Sequence, residues 1–197
     1  MSRHARGYSL IELLISLSAL ALIFLVAMPA FGSMRRRSAL RTATANLRTI
    51  FHVNRSRAIA TGQSCGMKFT RLAGEWHFAV YEDGDGDGVR NDDIKSGKDP
   101  MLEPPRVVFP EGARIVTIGL LPETIKDPDG DPLPPTKSAV AFGNSQICSF
   151  SALGESTPGT IYLTDRRREL FAVRVYGATA KIRVVRYERK TKKWVAW

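Results

Sequence analysis

The hydrophobic pattern changes period twice along the chain. From Tyr8 to Phe31 nearly every position is apolar, small or hydroxylated, with Glu12 the one charge. From about 33 to 60 apolar residues recur at helical spacing, at Leu40, Ala43, Leu47, Ile50 and Ala58. Arg41, Arg48, Arg55 and Arg57 fall mostly off that stripe. This reads as an amphipathic helix continuing the apolar one, ended by "ATGQ" at 60–63 with Gly62 as its cap. The stripe is rich in alanine and too short for a coiled coil. From Ser64 onward the pattern is that of strands. The expected strands are Cys65–Phe69, Glu75–Tyr81, Arg106–Phe109, Ala113–Ile118, Ala139–Phe142, Ile147–Phe150, Gly159–Thr164, Leu170–Val175, Ala180–Tyr187 and Lys193–Trp197, separated by Gly, Pro, Asp and Asn clusters. Many short strands without helices between them imply an antiparallel sheet domain, one face of which packs on the helix stripe.

Composition adds a charge map. The 197 residues carry a net +10, and 44% of them are hydrophobic. Residues 35–57 hold seven Arg and no acid. Residues 75–131 hold fourteen acids against six bases, and 166–193 hold eleven bases against two acids. Such segregation suits either an anionic partner or a solubilising surface. The two cysteines, Cys65 and Cys148, suit either one bridge in an exported domain or two buried thiols acting as small hydrophobes. No Cys/His spacing matches a zinc site.

As a helix, residues 8–31 span about 36 Å, enough to cross a hydrocarbon core of about 30 Å. A carboxylate in such a segment costs about 2.5–3.5 kcal/mol on insertion scales and is expected to be paired. Cleavage after Gly7 would create an amine at Tyr8, one helical turn from Glu12. "RGYSLIELL" at 6–14 resembles the signal of type IV prepilins and type II secretion pseudopilins: a short basic leader ending in Gly, an aromatic residue, and Glu at the fifth mature position. The resemblance implies cleavage between Gly7 and Tyr8 by a prepilin peptidase, N-methylation of Tyr8, and assembly with other pilins or pseudopilins through Glu12. Tyr8 departs from the usual Phe. Pro29 stands where the family's helix has a bending proline, and a kink is also the physical expectation.

The order of helix and strands, with "NRSRAIATGQ" at 54–63, an acidic loop after the second strand and "GNSQIC" at 143–148, resembles the GspH/FimT minor pilins and pseudopilins. The fold expected is α+β: a long N-terminal transmembrane and amphipathic helix packed on an antiparallel β-sandwich-like head. The domains expected are a leader at 1–7, a transmembrane helix at 8–31, its amphipathic continuation at 32–62 and a periplasmic head at 63–197. The partners and place implied are the peptidase, other pilins, inner membrane lipid and, for FimT-type members, DNA. The machine, type II secretion or type IV pilus, stays open.

"EDGDGDGVRNDD" at 82–93 matches the first half of a calcium loop. Asp83, Asp85 and Asp87 supply alternate carboxylates and Gly88 a sharp turn. The Val89 carbonyl, Asn91, and Asp92 or Asp93 are candidates to complete the shell. Ile94 stands where an EF-hand has its bidentate Glu, so a solvated acidic loop is the alternative. "KDPDGDPLPPT" at 126–136 is expected to be a loop, either a second cation site or a contact surface for a neighbouring subunit. In the basic C-terminal region, Arg166, Arg167 and Arg168 sit in a turn, and Lys181 and Arg183 share a strand face opposite Ile182 and Val184. With Arg186 and nearby aromatics these are the candidate DNA contacts. The Gly-Arg-x-Arg pattern of the FimT type is altered here to Lys181–Ile182–Arg183. A basic face toward lipid or toward another subunit's acidic loop is the alternative. No nucleophile elbow, phosphate loop or buried acid pair points to catalysis.

Overall fold

The computed structural model describes residues 9–109 and 115–197; within helix α1 the side chains at 26, 27, 29, 30 and 33 are outside that description. The chain divides into two compact units, Met1–Ser38 and Ala39–Trp197. Helix α1 (Leu10–Thr61) contributes to both. It ends where expected: Gly62 takes a left-handed conformation (φ 71°), and its N–H donates to the Ala58 carbonyl at 3.1 Å. Glycine adopts that conformation without the Cβ clash other residues suffer. Gly7 and Tyr8 lie outside the described residues, as does the side chain of Pro29. The kink expected there is therefore not addressed, although α1 continues through position 29.

In the first unit the apolar side chains of α1 face outward on all sides. Leu10, Ile11, Leu14, Leu17, Ile23, Phe24 and Met28 are each more than half exposed. Among the described residues no helix is long and apolar enough to cross a membrane. The expected span, 8–31, includes Tyr8 and four side chains that fall outside them.

The second unit is built around the rest of α1. Leu40, Ala43, Thr44, Leu47, Phe51, Asn54 and Ala58 are buried, one continuous stripe at helical spacing. Phe51 is its centre, fully buried, with its ring 6.3 Å from Phe69, 6.2 Å from Phe142 and 6.2 Å from Phe150. Two antiparallel sheets share one core with this stripe. The first has strand order β3 (Met101–Val107), β2 (Glu75–Glu82), β1 (Cys65–Leu72), β8 (Ile147–Phe150). The second has order β12 (Lys193–Ala196), β11 (Ile182–Glu188), β10 (Leu170–Val175), β9 (Gly159–Thr164), β4 (Thr117–Ile118), with β7 (Val140–Ala141) also pairing β9. Pro104 and Pro105 lie in β3, an edge strand, where a missing N–H costs least.

Several expectations change. Residues 91–96 form a short helix, α2 (Asn91–Ser96), where no helix is foreseen. Asp92 and Asp93 in its first turn favour the helix dipole, and left-handed Gly97 caps it. The run at 126–136 is not simply a loop. Pro132–Leu133 (β6) pairs with Ile125–Lys126 (β5), proline taking the first position of a two-residue strand. This hairpin lies over the second sheet: Leu121, Ile125 and Leu133 are buried, Trp194 Nε1 donates to the Lys126 carbonyl at 2.8 Å, and Arg174 pairs with Asp129 at 2.6 Å. The strand expected at 113–118 is only Thr117–Ile118, residues 110–114 being outside the description.

The cysteines are free and buried, not bridged. The β1–β8 register places Cys65 opposite Phe150 and Cys148 opposite Met67, so the two are diagonal neighbours. Diagonal pairs stand about 7–8 Å apart, whereas a disulfide needs Cα atoms within about 4.4–6.8 Å. Burial pushes the Cys65 thiol up to about 11, with Arg57 opposing, and holds Cys148 up as well. Cys65 Sγ donates to the Asn54 carbonyl at 3.1 Å, tying α1 to β1.

Replacing Phe51 with Ala removes the ring on which three other aromatics converge. We expect a loss of about 3–5 kcal/mol in denaturant unfolding of the full chain in detergent; a loss below 1 kcal/mol would show that the core closes without it.

Candidate functional site

The acidic loop between β2 and β3 is held by its own backbone. Asp83 is buried, and its two carboxylate oxygens accept from the N–H groups of Gly86 (2.8 Å) and Gly88 (2.9 Å). Asp99, which the sequence reading did not single out, does the same from the far side, accepting from Gly84 at 3.2 Å and Arg90 at 2.9 Å. A Cβ on Gly84 would stand 2.0 Å from the Lys98 carbonyl, so this closure requires glycine. One oxygen from each of Asp83, Asp85 and Asp87 lies within 4.8 Å of the others, and these three could converge on a cation. The remaining candidates differ. Val89 turns a buried side chain onto Gly66, which leaves its carbonyl unassigned, and Asn91 Nδ2 donates to the Ser145 carbonyl at 3.3 Å while its Oδ1 is buried without a hydrogen-bond partner. Asp92 pairs with Lys95 at 3.2 Å, and Asp93 with Lys98 at 3.5 Å. Asp87 pairs with Arg90 at 2.5 Å and Asp85 with Lys98 at 3.4 Å. Val89 belongs with Ala79, Tyr81 and Ile147 to a small second core, so the loop packs on the face of the first sheet turned away from α1.

The candidate DNA contacts do not come together. Arg166, Arg167 and Arg168 are exposed at the β9–β10 turn, where buried Asp165 Oδ1 accepts from the N–H groups of Arg167, Arg168 and Glu169. Lys181 and Arg183 are exposed at the opposite end of the β10–β11 hairpin, since Val175 pairs with Ile182 and Thr164 with Leu170. A six-residue strand separates the two groups by about 17–20 Å. Arg186 is on the other face. It pairs opposite Phe171, its side chain is 16% exposed, and its guanidinium lies 5.6 Å from the Trp197 ring. Strand alternation alone places Arg186 with Val184 rather than with Arg183.

A different basic surface emerges on α1. A groove of about 390 Å³ lies between α1 and the C-terminal strands, lined by Arg41, Thr44, Arg48, Thr49, His52 and Trp197, with Ala45 and Val184. The Arg41 guanidinium stands 4.6 Å over the Trp197 ring. Positions 41, 48 and 55 repeat every seven residues, so their arginines share one helix face at intervals of about 10.5 Å. Among the described residues no Asp or Glu side chain forms an ion pair with Arg41, Arg48, His52 or Arg55. Partial burial, with Arg48 and Arg55 close by, holds His52 below its ordinary value.

Glu12 sits in the first turn of α1 and is exposed. The Ser9 carbonyl accepts from the N–H groups of Glu12 and Leu13 at 3.0 and 3.1 Å. An acid there complements the helix dipole.

Two outcomes test these assignments. Asp83→Ala leaves two loop N–H groups without their acceptor and is expected to cost about 2 kcal/mol in unfolding experiments with chelator present; a cost seen only with added calcium would show that the ion, not the backbone, closes the loop. His52 should titrate below the ordinary histidine value by NMR, and Arg48→Ala should move it part of the way back; a titration unmoved by that change would leave burial and Arg55 as the causes.

Comparison with known proteins gives one match. The family described as the prokaryotic N-terminal methylation motif matches residues 2–28, a stretch that includes Gly7, Tyr8 and Glu12. No curated protein and no solved structure matches the chain. The N-terminal segment thus carries the motif of prokaryotic prepilin-like proteins, which fits a type IV pilin-like chain processed by prepilin peptidase.

Proposed function

We propose that the protein is a minor pseudopilin or minor pilin of the GspH/FimT kind, a structural subunit with no catalytic step. The observation that carries this is the N-terminal motif at the head of a helix whose apolar side chains are exposed on every side. A helix apolar all round needs lipid or other apolar helices around it. Before assembly the inner membrane supplies that environment and the head is periplasmic; after cleavage at Gly7, neighbouring subunits supply it. Glu12 then sets the stagger. An unpaired carboxylate in a low dielectric is costly, so the arrangement that gives Glu12 a Tyr8 amine is preferred over any other. Helix plus antiparallel head suits this role in either a secretion or a pilus machine.

The alternative, a DNA receptor acting through the C-terminal strands, has less support. Its basic groups are split between two ends and two faces of one sheet. Calcium at Asp83, Asp85 and Asp87 is compatible with either role and would stiffen the acidic loop.

Glu12→Ala should insert into the membrane normally yet be lost from assembled filaments by roughly tenfold or more, measured by the share of chain in sheared filaments. Wild-type incorporation of that variant would remove Glu12 from the assembly mechanism.

A further inference from the structure

We propose that the hollow between the β5–β6 hairpin and the β11–β12 turn receives an acidic segment of a different subunit, one with an apolar side chain next to its carboxylate. This names a partner for the role proposed above and rests on that reading. The hollow has a volume of about 710 Å³, within the range of ligand pockets. Its wall is fixed in advance. Trp194 Nε1 donates to the Lys126 carbonyl at 2.8 Å, Arg189 pairs with Glu123 at 2.7 Å, and Arg174 pairs with Asp129 at 2.6 Å. These tethers hold the proline-rich hairpin to the second sheet, so a ligand has little of it left to order.

Tyr187 is the group that asks for a ligand. It is only 7% exposed, and its ring centroid lies 5.4 Å from that of Trp194. Yet it lines the hollow, and its hydroxyl has no hydrogen-bond partner among the described residues and is not sealed from solvent. A donor on a ring held by packing is ready for an acceptor brought in from outside. Charge gives that acceptor its sign. Lys126 and Lys192 line the same hollow, and no Asp or Glu side chain pairs with either among the described residues. The third cation, Arg189, is already held by Glu123. A carboxylate entering beside Tyr187 therefore meets one hydroxyl and two unpaired ammonium groups, while Ile125 and the Tyr187 ring offer apolar surface to a neighbouring side chain. Phosphate is the poorer fit. Its bidentate partner is arginine, and the one arginine here is engaged with a carboxylate that would repel a doubly charged group. A nucleic-acid strand needs cations along a track, and those of the second sheet are dispersed. An unlike partner also suits a minor subunit, which stands among other chains.

The test uses the purified full chain in detergent and a short fluorescent peptide of alternating Glu and Phe. Anisotropy should show binding that weakens as salt rises. Tyr187→Phe keeps the ring and its packing, and should weaken binding about tenfold. Lys192→Glu should weaken it about fivefold, and Lys126→Glu combined with Lys192→Glu further still. Lys181→Glu, at the far end of β11, should leave it unchanged. A second arm measures the share of chain in sheared filaments from membranes that carry the assembly machinery, where the double lysine variant should fall about fivefold. No peptide binding, or binding indifferent to Tyr187→Phe and Lys192→Glu, would overturn this contact; wild-type chain present in the filaments would then leave the subunit reading standing. Full incorporation of the double variant would overturn the contact as well. Wild-type chain absent from filaments would overturn the subunit reading, and with it the partner named here, even with the peptide bound. Lysine-dependent binding of inorganic phosphate, duplex DNA or phosphatidylglycerol vesicles, without binding of the peptide, would assign the hollow to a phosphate ligand and overturn the contact.

Discussion

The burial of one stripe of α1 beneath two sheets is the constraint on which the rest of the head depends. Phe51 lies where rings from β1, β8 and the segment after β7 converge, all of them fully buried. Both sheets contribute to one buried core with that helix. The polar residues in the stripe fit the same requirement. Thr44 returns its hydroxyl hydrogen bond to the Leu40 carbonyl at 2.6 Å, and Asn54 Nδ2 donates to the Ile50 carbonyl at 2.9 Å while its backbone carbonyl accepts from Cys65. Buried polar groups that find partners nearby cost little; the Asn54 Oδ1, buried without a partner, is an exception.

Around this core the long connections are fixed by acids that bind backbone. Asp83 and Asp99 close the loop before β3, Asp165 shapes the turn of the arginine triplet, and Asp127 accepts from Asp129 and Asp131 in the flap over the second sheet. A carboxylate accepting two or three N–H groups replaces the hydrogen bonds that regular structure would have given. Part of the acidic charge that first suggests metal or partner binding is therefore structural. The remaining exposed acids are spread over several loops, while Arg41, Arg48 and Arg55 share one exposed face of α1.

The two parts of α1 differ in what surrounds their side chains. The first carries exposed apolar side chains and one acid, Glu12. The later part buries one stripe in the head and turns a basic face outward.

How much of this was legible depends on the range of the interaction. The N-terminal motif, the helix stripe and its glycine stop, and most strands were readable because they rest on local spacing: Gly7, Tyr8 and Glu12 within six positions, apolar residues at intervals of three and four, continuous apolar runs in β9 and β10 and alternation at the start of β11. Phe51 escaped the stripe only because Ile50 beside it fits nearly as well. The hairpin at Ile125 and Leu133 was hidden, since its prolines argue against strands and its partner, Trp194, lies far along the chain. The diagonal placement of Cys65 and Cys148, the dispersal of Lys181, Arg183, Arg186 and Arg166–Arg168, and the gathering of Arg41, Arg48, His52 and Trp197 into one groove were likewise beyond a sequence reading. By itself the sequence determined the long helix, most of the longer strands and where the processing motif lies, because backbone periodicity and short motifs are local. Only the tertiary structure decided which charges are spent on the chain's own backbone and which stand outward, because that depends on strand register and on segments brought together from distant parts of the chain.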